Sequence, residues 1–544
     1  ATGYGHVVEV SSNDGRRQTY GVTTDESTGD VSYQHQDEDG RNVLTLTERT
    51  AHTGETVSVR TAADGTSVET RQSADRMTET VEDTATGMRA TIQYEMDSVL
   101  PVKMVKSMTI GKVGETVPDV ETAFDTVYQK DVNGEITAVS TTVAIGEPGA
   151  QTPRTSTVVD DFTAGTVTST SPAGKVSTVT YDANRKPVRV EMTGVPEATV
   201  EYEYDPDTGK PLSVVAGGDV VGGTPRNLAY TYGLDGRLEA VSYWTGDEPP
   251  ATPRQQTVYT YDALGRVETT TAKTNGVPMA VHTAEYDALG RMVSLTDDAN
   301  RVHAYAHDAA DNVTAYTTPG GREYAYSYDL TGRLTLATLP HETGVSPSTV
   351  GYVYDETTGR LTATTVNEVA HTAYAYDAAG RLTGVSRGDE SVTTAYDGAL
   401  PVSVTLSGVV DAVLETEYNA FGEPVLVSYL GQSYAMSYDA DGLLTGAGPY
   451  QITRDAASGR VTAVAGGALD MVCTYAADGA VETTALGVDD ATGTFSWEAV
   501  ARDPDTGQIT QGRTTLNNVP TDRVYTYDDL GRLTSVSGTA FPYT

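Results

Sequence analysis

The chain is predicted to be all-β, with antiparallel hairpins paired edge to edge into one continuous sheet that twists and curls as it grows. Three observations predict this. A short segment bearing tyrosine and aspartate recurs at intervals of about 20 to 29 residues, within the period range of repeat arrays. The 33 Tyr against 5 Phe, with abundant Thr and Val, suit half-buried strands. The 54 Gly punctuate the chain where tight turns are needed.

Length and composition set the frame. A chain of 544 residues exceeds the roughly 250 to 300 at which one hydrophobic core stops growing, so it is a repeat array or several domains. Its apolar share predicts a thin core. The net charge of −39 is spread along the sequence, which disfavours binding to nucleic acid or to an anionic membrane surface. One cysteine, Cys473, cannot form an internal disulfide, so strand pairing must supply the stability. No apolar run approaches the roughly 18 residues of a membrane helix, and no membrane insertion is expected. The opening ATGYGHVVEV lacks Met and any signal-peptide pattern, so a processed or excised piece of something longer is expected.

The repeat is plainest in YTYDALGRV from Tyr259, which returns as AEYDALGRM from Ala284 and YTYDDLGRL from Tyr525. Its recurring positions are Tyr204 and Asp205; Tyr232; Tyr261, Asp262, Gly265 and Arg266; Tyr286, Asp287, Gly290 and Arg291; and Tyr328, Asp329, Gly332 and Arg333. They continue as Tyr354, Asp355, Gly359 and Arg360; Tyr376, Asp377, Gly380 and Arg381; and Tyr527, Asp528, Gly531 and Arg532. Tyr259 and Tyr261 share one face of a strand by two-residue periodicity. Asp262 first and Gly265 fourth are the preferences of a type I turn, where the carboxylate accepts backbone N–H bonds and a positive φ at the glycine adds a bulge. Arg266 and Val267 open the returning strand. Leu533 and Val536, three apart, also require a bulge or bend. One hairpin of this size is unstable alone, so its neighbours must pair with it.

Toward the N-terminus the motif decays: Tyr181 to Arg185, Asp131 to Glu135 and Glu38 to Arg41 keep only the turn chemistry. The expected organisation is a degenerate β-repeat region over residues 1–115, irregular repeats over 116–180 and the full array over 181–544. Loops rich in Pro and Gly (AIGEPGAQTPR, VAGGDVVGGTPRN, WTGDEPPATPR, PHETGVSPS) read as long connections between hairpins.

These strings closely resemble the YD-repeat, or Rhs-repeat, family: bacterial Rhs proteins, the cocoon-forming subunits of insecticidal Tc toxins, and animal teneurins. The resemblance implies a spiralling strip of antiparallel hairpins that forms a β-shell, barrel or tube. It also implies either enclosure of a C-terminal toxin or a place in an adhesion ectodomain. Toxin-bearing relatives end their shell with a self-cleaving D-P-x-G-L segment. The nearest string here, Asp503-Pro504-Asp505-Thr506-Gly507, lacks that leucine, recurs at Asp205 to Gly209 and is followed by another repeat. The final GTAFPYT holds no toxin domain, so a strip that runs on beyond Thr544 or a shell without cargo is expected.

Other chemistry reads as turn or strand substitution. His303 and His307 are four apart, as on a metal-binding helix, yet they lie on a predicted strand and His307-Asp308 fills a Tyr-Asp slot. Asp205 with Asp207, and Asp503 with Asp505, are read as turn residues rather than calcium ligands. Asp160 with Asp161, and Asp297 with Asp298, point to opposite faces and cannot act jointly as acid and base. No nucleophile motif or phosphate-cradling loop is present, and Gly217, Gly218, Gly222 and Gly223 read as a loop. No catalytic, cofactor or metal residue is assigned.

The function expected is a non-enzymatic extracellular scaffold, structural or adhesive, able to associate with itself end to end into a fibre or to meet a cell-surface protein or glycan. The alternatives are a toxin-encapsulating shell and, further off, a carbohydrate-binding surface of tyrosines. A glycosidase is the weakest reading, because no carboxylate pair recurs in workable geometry.

Overall fold

The computed structural model describes the chain apart from residues 1–4, 12–16, 25–30, 37–41, 51–53, 63–64, 115–118, 148–151, 218–225, 247–251, 341–345, 468, 477–478, 489–493, 504–506, 529–531, 538 and 541–544. Gly218, Gly222, Gly223, Asp505, Gly531 and the whole turn Glu38 to Arg41 therefore lie outside the described residues.

Among the described residues are 46 strands, from Gly5–Ser11 to Thr539–Ala540, and no helix. Every strand pairs antiparallel with the one before it and the one after it, so the chain is a single meander. Residues 1–115 join the same sheet through the strands Gly5–Ser11 to Lys103–Lys112. The strip is one layer thick. Among the described residues the buried apolar ones are Ala138, Val195, Ala240, Ala337 and Ala412, all of modest size, and no large side chain is wholly buried. Stability therefore comes from cross-strand pairs on two partly wetted faces rather than from a common core.

The hairpins give the strip two unlike edges. One carries the tyrosine–aspartate turns; the other carries plain reverse connections such as Thr274 to Val277 and Val366 to Val369. The register slips where each strand reaches its motif tyrosine, at Thr260/Tyr261, Glu285/Tyr286, Ser327/Tyr328, Val353/Tyr354 and Ala375/Tyr376. In the last repeat Tyr527 faces Leu533 and Thr526 faces Ser535, which leaves Thr534 as the extra residue and explains the spacing of Leu533 and Val536. Such bulges bend a strand and increase its twist. Repeated on one edge, they curl the strip.

The curl brings the strip back against itself after about 23 strands. Plain turns of the first wind then meet tyrosine–aspartate turns of the second. Lys112 Nζ lies 2.8 Å from Asp397 Oδ1, and Arg154 donates to both oxygens of Glu423 at 2.6 and 2.8 Å. Lys175 Nζ donates to Asp441 Oδ2 at 2.6 Å, Arg460 pairs with Glu197, and Arg254 stands 3.6 Å from Asp503. No strand of one wind pairs with a strand of the other among the described residues, so this seam is held by side chains. At the usual strand spacing, about 23 strands make a ring roughly 110 Å around and about 35 Å across between backbones. A ring of eight strands is filled by its own side chains, so one this wide encloses a lumen.

Candidate functional site at the tyrosine and aspartate turns

Each turn is closed by its aspartate. In the repeat at Asp262 the Gly265 N–H donates to the Asp262 carbonyl at 2.9 Å, and Gly265 has φ +86°. Oδ1 of Asp262 accepts the N–H groups of Leu264 and Arg266, each at 2.9 Å, while Oδ2 accepts Arg266 Nε at 2.7 Å. The same arrangement recurs at Asp287 with Arg291, Asp329 with Arg333 and Asp377 with Arg381. In the longer turns at Asp205 and Asp355 a threonine, Thr208 or Thr358, takes the inner place instead. Asp528 binds Arg532 likewise.

The motif also reaches into its neighbours. The tyrosine hydroxyl donates to the carbonyl of the residue that opens the returning strand one repeat back: Tyr261 to Leu238 (2.6 Å), Tyr286 to Val267 (2.8 Å), Tyr354 to Leu334 (2.8 Å) and Tyr527 to Ile509 (2.9 Å). Tyr232 reaches Pro211 and Tyr328 reaches Val313 in the same way. The arginine works forward. The Arg266 guanidinium lies 4.6 Å from the Tyr286 ring centre, Arg333 4.7 Å from Tyr354 and Arg381 4.5 Å from Tyr396, within the range of cation–π attraction. Lys186 and Lys210 stand over Tyr204 and Tyr232, and their ammonium groups donate to the Gly209 and Gly236 carbonyls. The motif glycine is the seat for this cation. A Cβ at Gly380 would collide with Arg360, and one at Gly265 with Arg237.

This forward reach of the arginine is what sequence reasoning missed, because the partner belongs to the next repeat. The signal was present in the Gly-Arg pair itself, since a cation beside a glycine in every repeat needs an acceptor and a space. The repeat at His307 lacks two of these links, although Arg291 still reaches the Asp308 carbonyl and Tyr328 the Val313 carbonyl. His307 fills the tyrosine slot with its Nδ1 buried and unpartnered, and Asn312 in place of arginine bonds only back to Asp308, at 2.9 Å.

Removing one link gives a measurable change. Tyr354→Phe deletes the bond to Leu334 but keeps the ring, at a cost of about 1 kcal/mol. Amide exchange around Leu334 and Tyr354 is expected to quicken about five-fold by local opening, with distant hairpins unchanged. Unchanged exchange would show that water replaces the hydroxyl without loss.

The carboxylates of Asp205, Asp262, Asp287 and Asp355 are held below their ordinary range. At Asp262 and Asp287 the largest cause is the N–H bond from Arg266 or Arg291, and at Asp205 and Asp355 it is the N–H of Thr208 or Thr358. A depressed folded value adds stability that is complete above the unfolded carboxyl value, about 3.9, and is lost as pH falls through the folded one. Urea midpoints are therefore expected to be flat from about pH 5 to 8 and to fall below about pH 4. A flat profile down to pH 3 would show that these turns do not carry the array.

The remaining candidates are placed apart from any joint chemistry. Nδ1 of His303 lies 2.8 Å from the Tyr316 hydroxyl, and Tyr316 stacks between Tyr305 and Tyr324. Asp160 takes Arg185, whereas Asp161 caps its own turn at Thr163 and Ala164. Asp297 binds Arg301 in a plain turn. Asp207 donates its N–H to Asp205, Asp503 joins the seam, and Gly217 has φ +74° at a strand end. No group of three or more metal-ligating side chains occurs among the described residues.

Residues 235–353 match the family model described as Teneurin YD-shell. No curated protein matches the chain. Among solved structures, the Photorhabdus luminescens Tc holotoxin pore is 12% identical, over 96% of this chain and 35% of its own, with a TM-score of 0.42. A TcdB2-TccC3 crystal structure is 11% identical over 97% and 36%, with a TM-score of 0.40. A porin-like protein from Bacteroides uniformis is 12% identical over 44% and 94%, with a TM-score of 0.14. This chain spans about a third of the length of the two Tc chains.

Proposed function

Taking residues 235–353 as a YD-shell segment within a longer array of the same repeat, we propose that this chain is a non-enzymatic scaffold working outside the cell, secreted or on the cell surface. The observation that carries this reading is that the motif's polar groups are spent on one another. Asp262 closes its turn, Tyr286 bonds back to Val267, and Arg266 covers Tyr286, so that among the described residues the motif's acids and hydroxyls are engaged in holding the repeats together. A strip so built is stiff, and it presents a long outer surface to a cell-surface protein or glycan. The secreted or extracellular setting of teneurin and Tc shells supports the location. We read residues 1–115 and 116–180 as outlying parts of the same scaffold.

The lumen favours a second reading, in which the curled strip contains another polypeptide. Electron microscopy of the purified chain tests both. Hollow tubes or filaments without internal density support the structural element. Closed shells with density inside support the container. Irregular particles with no lumen would overturn both.

A further inference from the structure

One step of the seam is made by an unusually short turn. Elsewhere a lysine or arginine reaches across between the winds, as Lys112 does to Asp397 and Lys175 to Asp441. The connection between Thr274 and Val277, which meets the turn at Asp528, consists of Asn275 and Gly276 alone. Both have positive φ, +50° and +79°, as in the two-residue turn that Asn-Gly favours, and neither carries a long cation. At the step beside it Arg254 stops 3.6 Å from Asp503, farther than a hydrogen bond. Between these two steps lies a cavity of about 230 Å³ whose walls come from both winds.

The lining sets the chemistry of what fits. Its carboxylates already face cations: Asp503 faces Arg254, and Oδ2 of Asp528 accepts Arg532 Nε at 2.6 Å. An added ion of either sign would meet its own charge beside the opposite one and would shed its water without a net partner. Gln255, Asn275 and Gln508 bring amides that each donate and accept, and Thr510 brings a hydroxyl that does the same. The ring of Tyr525 supplies an apolar wall, seated against Gly512 where a Cβ would stand 3.2 Å from it. Groups that both donate and accept, beside one aromatic face, match a ring with hydroxyls on its rim and C–H bonds on its faces. A hydroxyl set between Arg254 and Asp503 accepts from the one and donates to the other. The volume is below the roughly 300 Å³ at which pockets begin to hold drug-sized ligands, so one ring fits rather than a chain. Asn275 and Thr526 are exposed, which gives the cavity an opening. Resting on the scaffold reading, in which the surface meets a glycan, we propose that this cavity binds one neutral sugar ring, free or at the end of a glycan. The site exists only where two winds meet, so no single repeat encodes it.

Saturation-transfer NMR on the full chain with glucose, galactose, mannose and N-acetylglucosamine tests this, beside a panel of immobilised glycans ending in the same rings or in acidic ones. One of the neutral rings is expected to bind; binding of the free sugar alone marks a small-molecule site, and binding confined to one chain end on the panel marks a glycan site. Asn275→Gly removes an amide and keeps a turn that glycine adopts, and Gln508→Ala removes another amide. Each should weaken binding about tenfold, with the far-ultraviolet circular dichroism unchanged. No binding by any neutral ring, equal binding by both variants, or binding only of acidic rings that salt abolishes would overturn the site. A failed sugar test on particles that microscopy still shows as hollow leaves the scaffold reading standing. Irregular particles with no lumen would remove the seam, and with it both the scaffold reading and the cavity.

Discussion

Arg154→Ala is expected to part the two winds locally while leaving the hairpins of each intact. The guanidinium makes both bonds to Glu423 and covers Phe421, and no backbone ladder stands behind them. Glu423, held below its ordinary range chiefly by the bond from Arg154, would keep only Asn419 as a side-chain donor. Stranding one partner of a fully buried pair costs about 3 to 5 kcal/mol; this pair is mostly but not wholly covered, so about 2 kcal/mol is the expected loss. Read by amide exchange, that is about a thirty-fold acceleration at residues 419–424 and 153–156. Exchange within the strand Tyr352 belongs to should not move. Exchanging the charges, Arg154→Glu with Glu423→Arg, should recover part of the loss. If the single variant leaves exchange across the seam unchanged, the winds are held by something other than these clamps.

Gly380→Ala carries the second large effect. The residue has φ +80°, where an L side chain costs about 1 to 2 kcal/mol. A Cβ there would also displace Arg360 from its seat beside Tyr376. Gly321 separates the two costs, because it has φ +73° with nothing near its missing Cβ. Gly321→Ala should lose the backbone cost alone, and Gly380→Ala about 1 kcal/mol more, the worth of a cation–π contact and its bonds. Local exchange is the proper measurement, since a long repeat array does not unfold in a single step. Equal losses at the two positions would remove the seat from the account of the motif.

The parts of this architecture that lie within one repeat were legible in the sequence. Asp262 and Gly265 announced the turn, and the three-residue step from Leu533 to Val536 announced the bulge, because those interactions span four or five residues. The arginine's contact with the following tyrosine lies about 20 residues on, where no periodic rule points. The seam was not legible at all. Arg154 and Glu423 are 269 residues apart, and what joins them is the accumulated twist of about 23 strands, a sum of small angles that no single residue encodes. Lys112 sits in no recognisable motif, and nothing near it in the sequence points to its pairing with Asp397.

The two edges of the strip also differ in how they tolerate change of length. The tyrosine–aspartate connections run to five or six residues in nearly every repeat, as from Tyr261 to Val267 and from Tyr354 to Leu361. The plain connections range from two residues between Thr274 and Val277 to ten between Thr338 and Thr349. One margin keeps a fixed gauge because each turn is bolted to the next, while the other takes up slack. Insertions, tags or whole grafted domains therefore belong in the long connection between Thr338 and Thr349. Two or more residues added between Asp262 and Arg266 would exceed the five- or six-residue gauge and put that repeat out of step with both of its neighbours.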